Sequence, residues 1–191
     1  ITSSDTLRLK SPERTADRIH SLGDNAEAEF LKALYDISSK QFNSAMIHYG
    51  NALENSAGGK YEDLYKAFYY MNRAVLRADM IEFISSIENN VQTLTMDDQG
   101  TTRARVKDQV SMGYDYSDAV ADMRTAAGIV GDIPYIHFNL GNLLCLSSSF
   151  VEAIDSYSKA ISLYPYMGDA YFNRGLVLIY LKDKEKGCID L

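Results

Sequence analysis

A short motif returns at a fixed distance near the end of this chain, and that return limits the fold more than any bulk property. Asn139 and Gly141 reappear as Asn173 and Gly175, 34 residues on. Ala119, Met123 and Ala126 stand 34 residues before Ala153, Tyr157 and Ala160. Self-similarity at a fixed period marks a solenoid, in which each unit leaves one apolar face for its neighbour to cover. A unit of this length is too short for a domain and long enough for two helices.

The unit is clearest from Pro134 to Met167. Its first half sets Leu140, Leu143 and Leu144 on one helical face, with Gly141 where another helix must come close. Its second half sets Val151, Ile154, Tyr157 and Ile161 at helical spacing, flanked by the small Ala153 and Ala160. Ser147-Ser148-Ser149 forms the turn between them, and Pro165 ends the second helix. Small residues at the crossing of such a hairpin admit close approach, so Gly141 and Ala153 are expected at the seam.

This pattern resembles the tetratricopeptide repeat (TPR), a helical hairpin with a period of about 34 residues. The family's motif places are met by His137, Leu140, Gly141, Leu144, Ala153, Tyr157, Ala160 and Pro165, with His137 in place of the usual aromatic and Leu144 in place of tyrosine. The resemblance implies an all-α fold, a right-handed superhelix of about five TPR hairpins. Residues 1–24 stand apart as an N-terminal segment, extended or a short helix, in which Ser11-Pro12-Glu13 reads as a helix start. The hairpins are expected at about 25–59, 60–99, 100–133, 134–167 and 168–191, the last incomplete. Within the second, Tyr70 to Ala74 matches Tyr171 to Gly175, and a second helix is expected over Ile81 to Leu94. The third opens on the polar TTRARVKDQV and closes on a clearer helix from Tyr116 to Val130. Asn55 to Lys60 and Asp97 to Thr102 read as flexible connections, because Gly, Asn and Asp cluster there without apolar anchors. The closing Glu185 to Leu191 is similar to the last repeat of uncharacterised TPR proteins of Gram-negative bacteria.

Chemistry of the catalytic kind finds no foothold. His20, His48 and His137 lie in separate elements without metal-ligand spacing. Gly58-Gly59 lacks the Lys-Ser/Thr of a phosphate loop, and Ser147 to Ser149 lacks the G-x-S-x-G frame of a nucleophile. Asp97-Asp98 with Gly100 lacks the ligand ladder of a calcium loop. The expectation is therefore no enzyme, no cofactor and no metal. A net charge of −7 argues against nucleic acid, and no apolar run is long enough to span a bilayer. Cys145 and Cys188 sit on apolar helix faces and are expected as buried free thiols. The chain starts at Ile1 without Met, which points to a piece of a longer protein. Its compartment stays open between the cytoplasm and the periplasm or exterior of a Gram-negative bacterium.

Function then follows from the groove that the resemblance implies, lined by the first helix of each hairpin. Tyr135, Phe138, Asn139, Asn142, Asp169, Phe172 and Asn173 are its expected lining, an aromatic and amide-rich surface for an extended or helical peptide. In TPR proteins that clamp a terminal carboxylate, asparagines stand at the places of Asn142 and Asn173, but a lysine stands at the place of Phe138. That exchange removes the clamp's charge. A bland role for the two asparagines is hydrogen bonding between helices. Protein–protein interaction as a scaffold or peptide-binding module is the leading reading. A structural spacer that self-associates through its ends is the second, and a carbohydrate-binding or enzyme-accessory domain, motivated by 14 tyrosines, is the third.

Overall fold

A computed structural model describes residues 18, 21, 25–56, 62–90, 93–96, 102–105 and 114–191. Eight helices and one β-hairpin follow in order among them: α1 (Ala26–Ser38), α2 (Phe42–Asn55), α3 (Glu62–Asn90), β1 (Thr93–Met96), β2 (Thr102–Arg105), α4 (Ser117–Ile129), α5 (Pro134–Leu146), α6 (Phe150–Leu163), α7 (Gly168–Tyr180) and α8 (Lys184–Asp190). The helices pack as antiparallel pairs, α1 with α2, α3 with α4, α5 with α6 and α7 with α8, and each pair stacks on the next.

Local chemistry sets the helix ends. The Asn25 side chain accepts the Ala28 N–H at 2.8 Å and caps α1, a contact worth about 1 kcal/mol. Pro134 opens α5, where its missing N–H costs nothing. Three of the pairs turn in the same way. Lys40, Ser148 and Lys182 take φ of 58°, 60° and 70°, and the next amide bonds back to Asp36, Leu144 and Leu178 respectively at 2.8, 2.7 and 2.9 Å. A left-handed residue after the helix lets the chain satisfy carbonyls that the helix leaves open.

Inside each pair a small residue faces a large one. Ala33, Ala74, Gly141 and Gly175 sit on the first helices, and Tyr49, Met123, Tyr157 and Leu191 hold the corresponding places opposite. Ala33, Tyr49, Ala74, Met123 and Tyr157 are fully or almost fully buried. A Cβ on Gly141 would stand 2.5 Å from the Tyr157 ring, and one on Gly175 would stand 3.0 Å from the Gly187 carbonyl and 3.2 Å from Leu191. Gly141 and Ala153 thus lie at the crossing of α5 and α6, as the spacing predicts. The main core joins α3 to α7 through Ala74, Met123, Ile136, Leu144, Tyr157 and Val177.

The middle of the chain differs from the sequence reading. The residues expected to form two hairpins, 60–99 and 100–133, form one pair. Glu62–Asn90 is a single 29-residue helix, so Ile81 to Leu94 is not a separate second helix. No Gly or Pro interrupts residues 61–99, and Ile81 and Ile84 extend the existing helix rather than beginning another. The helix that answers α3 is α4, beyond an antiparallel β-hairpin in which Thr93 pairs with Arg105 and Met96 with Thr102. The described residues therefore hold four helical hairpins, with an inserted two-stranded element in the second.

A pair of ion pairs identifies the register. Arg73 grips Asp122 through Nε at 2.8 Å and Nη2 at 2.6 Å. Arg174 grips Asp190 through the same two atoms, each at 2.7 Å. Each arginine also stacks over a tyrosine three residues earlier, Tyr70 at 5.2 Å and Tyr171 at 5.5 Å. The same fork in both pairs shows α3–α4 to be the counterpart of α7–α8. Of the connections expected to be flexible, residues 57–60 and 97–101 lie outside the described residues, as does nearly all of the segment 1–24.

Candidate functional site

Residues three, four and seven apart share one face of a helix. On α5 that rule aligns Tyr135, Phe138, Asn139, Asn142 and Leu146; on α7 it aligns Asp169, Phe172, Asn173, Leu176 and Tyr180. One hydrogen bond joins the two stripes. Asn173 Nδ2 donates to Asn142 Oδ1 at 2.9 Å. The same oxygen accepts the Tyr157 hydroxyl at 2.8 Å.

An open cleft of about 490 Å³ lies over this junction, walled by Glu82 of α3, Asn142 and Leu146 of α5, and Asn173, Leu176 and Val177 of α7, with Cys145 and Tyr157 also lining it. Three first helices thus contribute to one concavity. Leu146 and Leu176 are exposed there. The Asn142 NH2 and the Asn173 Oδ1 have no side-chain hydrogen-bond partner among the described residues, so the cleft offers N–H donors and an acceptor beside its apolar walls.

The expected lining residues divide into three kinds. Tyr135 and Phe172 are 59% and 54% exposed, large apolar surfaces on the stripes, and Asp169 is exposed beside them. Asn142 and Asn173 are half-buried and bonded to each other, so the bland role of helix-to-helix hydrogen bonding is real for both. Phe138 and Asn139 are half-buried. The Phe138 ring packs inward, 6.0 Å from the Tyr157 ring, in the cores of both α5–α6 and the α6–α7 junction. Leu146, Leu176, Val177 and Glu82 line the cleft without having been expected. The first two extend the same stripes by one helical turn, a signal already present in the spacing. Glu82 was hidden by the misplaced break in α3.

Cys145 and His137 take structural places. Burial pushes the Cys145 thiol up from its ordinary value, and the Tyr157 hydroxyl 3.5 Å away offsets this only in part. A raised thiol is a poor nucleophile at neutral pH. Burial also raises the Tyr157 phenol. Cys188, expected to be buried, is exposed on α8. Both cysteines are free. His137 Nε2 pairs with the Gly131 carbonyl at 2.9 Å. No group of metal-binding side chains occurs among the described residues, and no described helix is long and apolar enough to cross a membrane.

No model of a protein family matches the chain, and no curated protein matches it. Solved structures do. MamA 41-end from Desulfovibrio magneticus RS-1 aligns with a TM-score of 0.65 at 10% identity, over 96% of this chain and 84% of that one. YrrB, a TPR protein with an unusual peptide-binding site, aligns with a TM-score of 0.61 at 12% identity, over 95% and 75%. The first TPR of Spaghetti (RPAP3), bound to the HSP90 peptide SRMEEVD, aligns with a TM-score of 0.58 at 13% identity, over 83% and 94%. Likeness at such low identity speaks for architecture, and it agrees with the repeated turns, crossings and forks: the chain has the superhelical fold of the tetratricopeptide-repeat proteins.

Proposed function

We propose that this chain is a protein–protein interaction module that receives a peptide segment of a partner in the groove of α3, α5 and α7. The cleft shared by three first helices carries the reading, because it sets exposed leucines beside unspent amide groups. Apolar anchors supply affinity, and the amides register a ligand backbone. The HSP90 peptide bound by the first TPR of Spaghetti and the peptide-binding site of YrrB support a groove used in this way. The reading is of binding rather than catalysis. Phe138, at the place of a clamp lysine, packs into the core, so no strong preference for a free terminal carboxylate is expected.

Selection from a phage-displayed library of random 12-residue peptides tests the reading. Binders should be recovered, and Leu176→Ala with Asn173→Ala should weaken them while circular dichroism stays unchanged. Binders indifferent to both substitutions, or none after repeated rounds, would remove the groove reading.

Self-association is the second reading, on a separate observation. Ile189 of α8 is 83% exposed, and Leu181 and Leu191 are exposed as well, so the α7–α8 hairpin shows apolar side chains. Light scattering across a concentration series distinguishes it: a dimer abolished by Ile189→Glu supports end-to-end stacking.

A further inference from the structure

Charge is distributed on the first helices with a consistent asymmetry. Every lysine and arginine of α1, α3 and α7 is spent on a carboxylate. Lys32 pairs with Glu29, Lys66 with Glu62, Arg73 with Asp122, Arg77 with Asp118 and Asp122, and Arg174 with Asp190. Helix α5 has neither residue type. Three acids are in the opposite condition: Glu82 of α3, which lines the cleft, Asp79 one turn before it, and Asp169 on the α7 stripe have no ion-pair partner among the described residues.

Asp79 and Glu82 lie one helical turn apart, where like charges repel. Desolvation and the neighbouring Glu82 charge both push the Asp79 carboxyl up. Glu82 reaches the cleft whose other walls include Leu146, Leu176 and Val177. The groove therefore presents apolar walls with an anionic side and, among the described residues of its first helices, no free cation.

We infer that the groove takes a partner segment in which apolar side chains alternate with lysine or arginine, and that it rejects acidic segments. The inference rests on the groove being a peptide site and names the chemistry of its occupant. Leucine-like side chains fill the space between Leu146 and Leu176. A cation beside them pairs with Glu82 and eases the repulsion that Glu82 exerts on Asp79. An acidic segment meets like charge, and no lysine or arginine of the first helices is free to compensate it. Complementarity of this kind sets specificity and association rate more than total affinity.

The 12-residue library supplies the test. Peptides selected on the intact chain should be enriched in Lys and Arg over Asp and Glu, and one of them, synthesised with blocked ends and a fluorophore, serves as the probe in anisotropy titrations. Asp79→Asn with Glu82→Gln should weaken it about tenfold, and raising NaCl should weaken binding to the wild type more than to that variant. Asp155→Asn with Glu185→Gln removes the same charge from exposed places on α6 and α8 and should change binding little. Selected peptides that are neutral or acidic, or equal losses from the two double variants, overturn the inference and leave the groove reading standing. No selected peptide at all overturns both. Unchanged circular dichroism in each variant excludes unfolding as the cause of a loss.

Discussion

A Cβ placed on Gly141 would lie 2.5 Å from Cε1 and 2.7 Å from Cδ1 of Tyr157. The ring occupies the space that any other residue at 141 needs, and Tyr157 is itself 1% exposed with its hydroxyl bonded to Asn142. Small against large is the rule at each crossing, and here the small residue is a glycine against a tyrosine ring. Gly141→Ala should therefore destabilise by about 1–3 kcal/mol. Gly141→Ala with Tyr157→Met imitates the natural Ala74 and Met123 of α3 and α4, and should cost less than the two single changes summed. Urea denaturation of the four proteins measures the coupling; strict additivity would show that the two residues do not share the space.

Two buried tyrosines should answer oppositely to loss of a hydroxyl. The Tyr49 hydroxyl is buried without a hydrogen-bond partner, and desolvation pushes its phenol up to about 12. Tyr49→Phe removes an unpaired polar group and should be neutral or stabilising by up to about 1 kcal/mol. Tyr157→Phe strips Asn142 of a donor at 2.8 Å and should destabilise by about 1 kcal/mol. Melting temperatures of the two variants moving in the same direction would contradict this assignment of partners.

Asp122 holds α4 to the long helix. It accepts from Arg73 at 2.6 and 2.8 Å and lies 3.1 Å from Arg77 Nε, with little of the carboxylate exposed. Asp122→Ala leaves the half-buried Arg73 guanidinium without its carboxylate and Arg77 with Asp118 alone, and should cost about 1.5–3 kcal/mol. Asp118→Ala, at an exposed carboxylate on the same helix, should cost less than about 1 kcal/mol. Equal losses in denaturation would mean that burial of the fork contributes nothing.

Acid should attack the first hairpin through Glu29. Burial pushes its carboxyl up, but hydrogen bonds from His48 at 2.8 Å, Lys32 at 2.6 Å and Asn51 at 2.8 Å outweigh that, and the value falls from 4.5 to about 2. A folded value below the unfolded one means that the ionised form stabilises the fold. This stabilisation is complete above about pH 4.5 and is lost as pH falls towards 2. Glu29→Gln should lower stability at pH 7 and flatten its fall between pH 4.5 and 2.5. A variant whose melting temperature falls with acid as steeply as the wild type would place the acid sensitivity elsewhere.

Local pattern was sufficient wherever one segment of chain settled its own conformation. Spacing of Leu140, Leu144, Tyr157 and Ala160 marked the α5–α6 hairpin; Ser147 to Ser149 marked its turn; Gly141 and Ala153 marked its crossing. Those features depend on residues within a few turns of one another, so periodicity reports them. The 34-residue recurrence pairs Asn139 with Asn173, whereas Asn142, 31 residues before Asn173, meets it only through the packing of adjacent first helices.

Pairing between distant segments was decided by tertiary structure. Periodicity shows that Ile81 and Ile84 belong on a helical face, but it does not say whether a new helix begins there, and nothing local reveals that Arg73 meets Asp122 across an inserted β-hairpin. Phe138 shows the same limit on a smaller scale. Its place on the groove stripe is a property of sequence spacing, whereas its inward packing against Tyr157 follows from the space left at the junction of α5, α6 and α7. Helical periodicity is set by the backbone of one segment, and burial is set by whichever neighbour arrives to cover it.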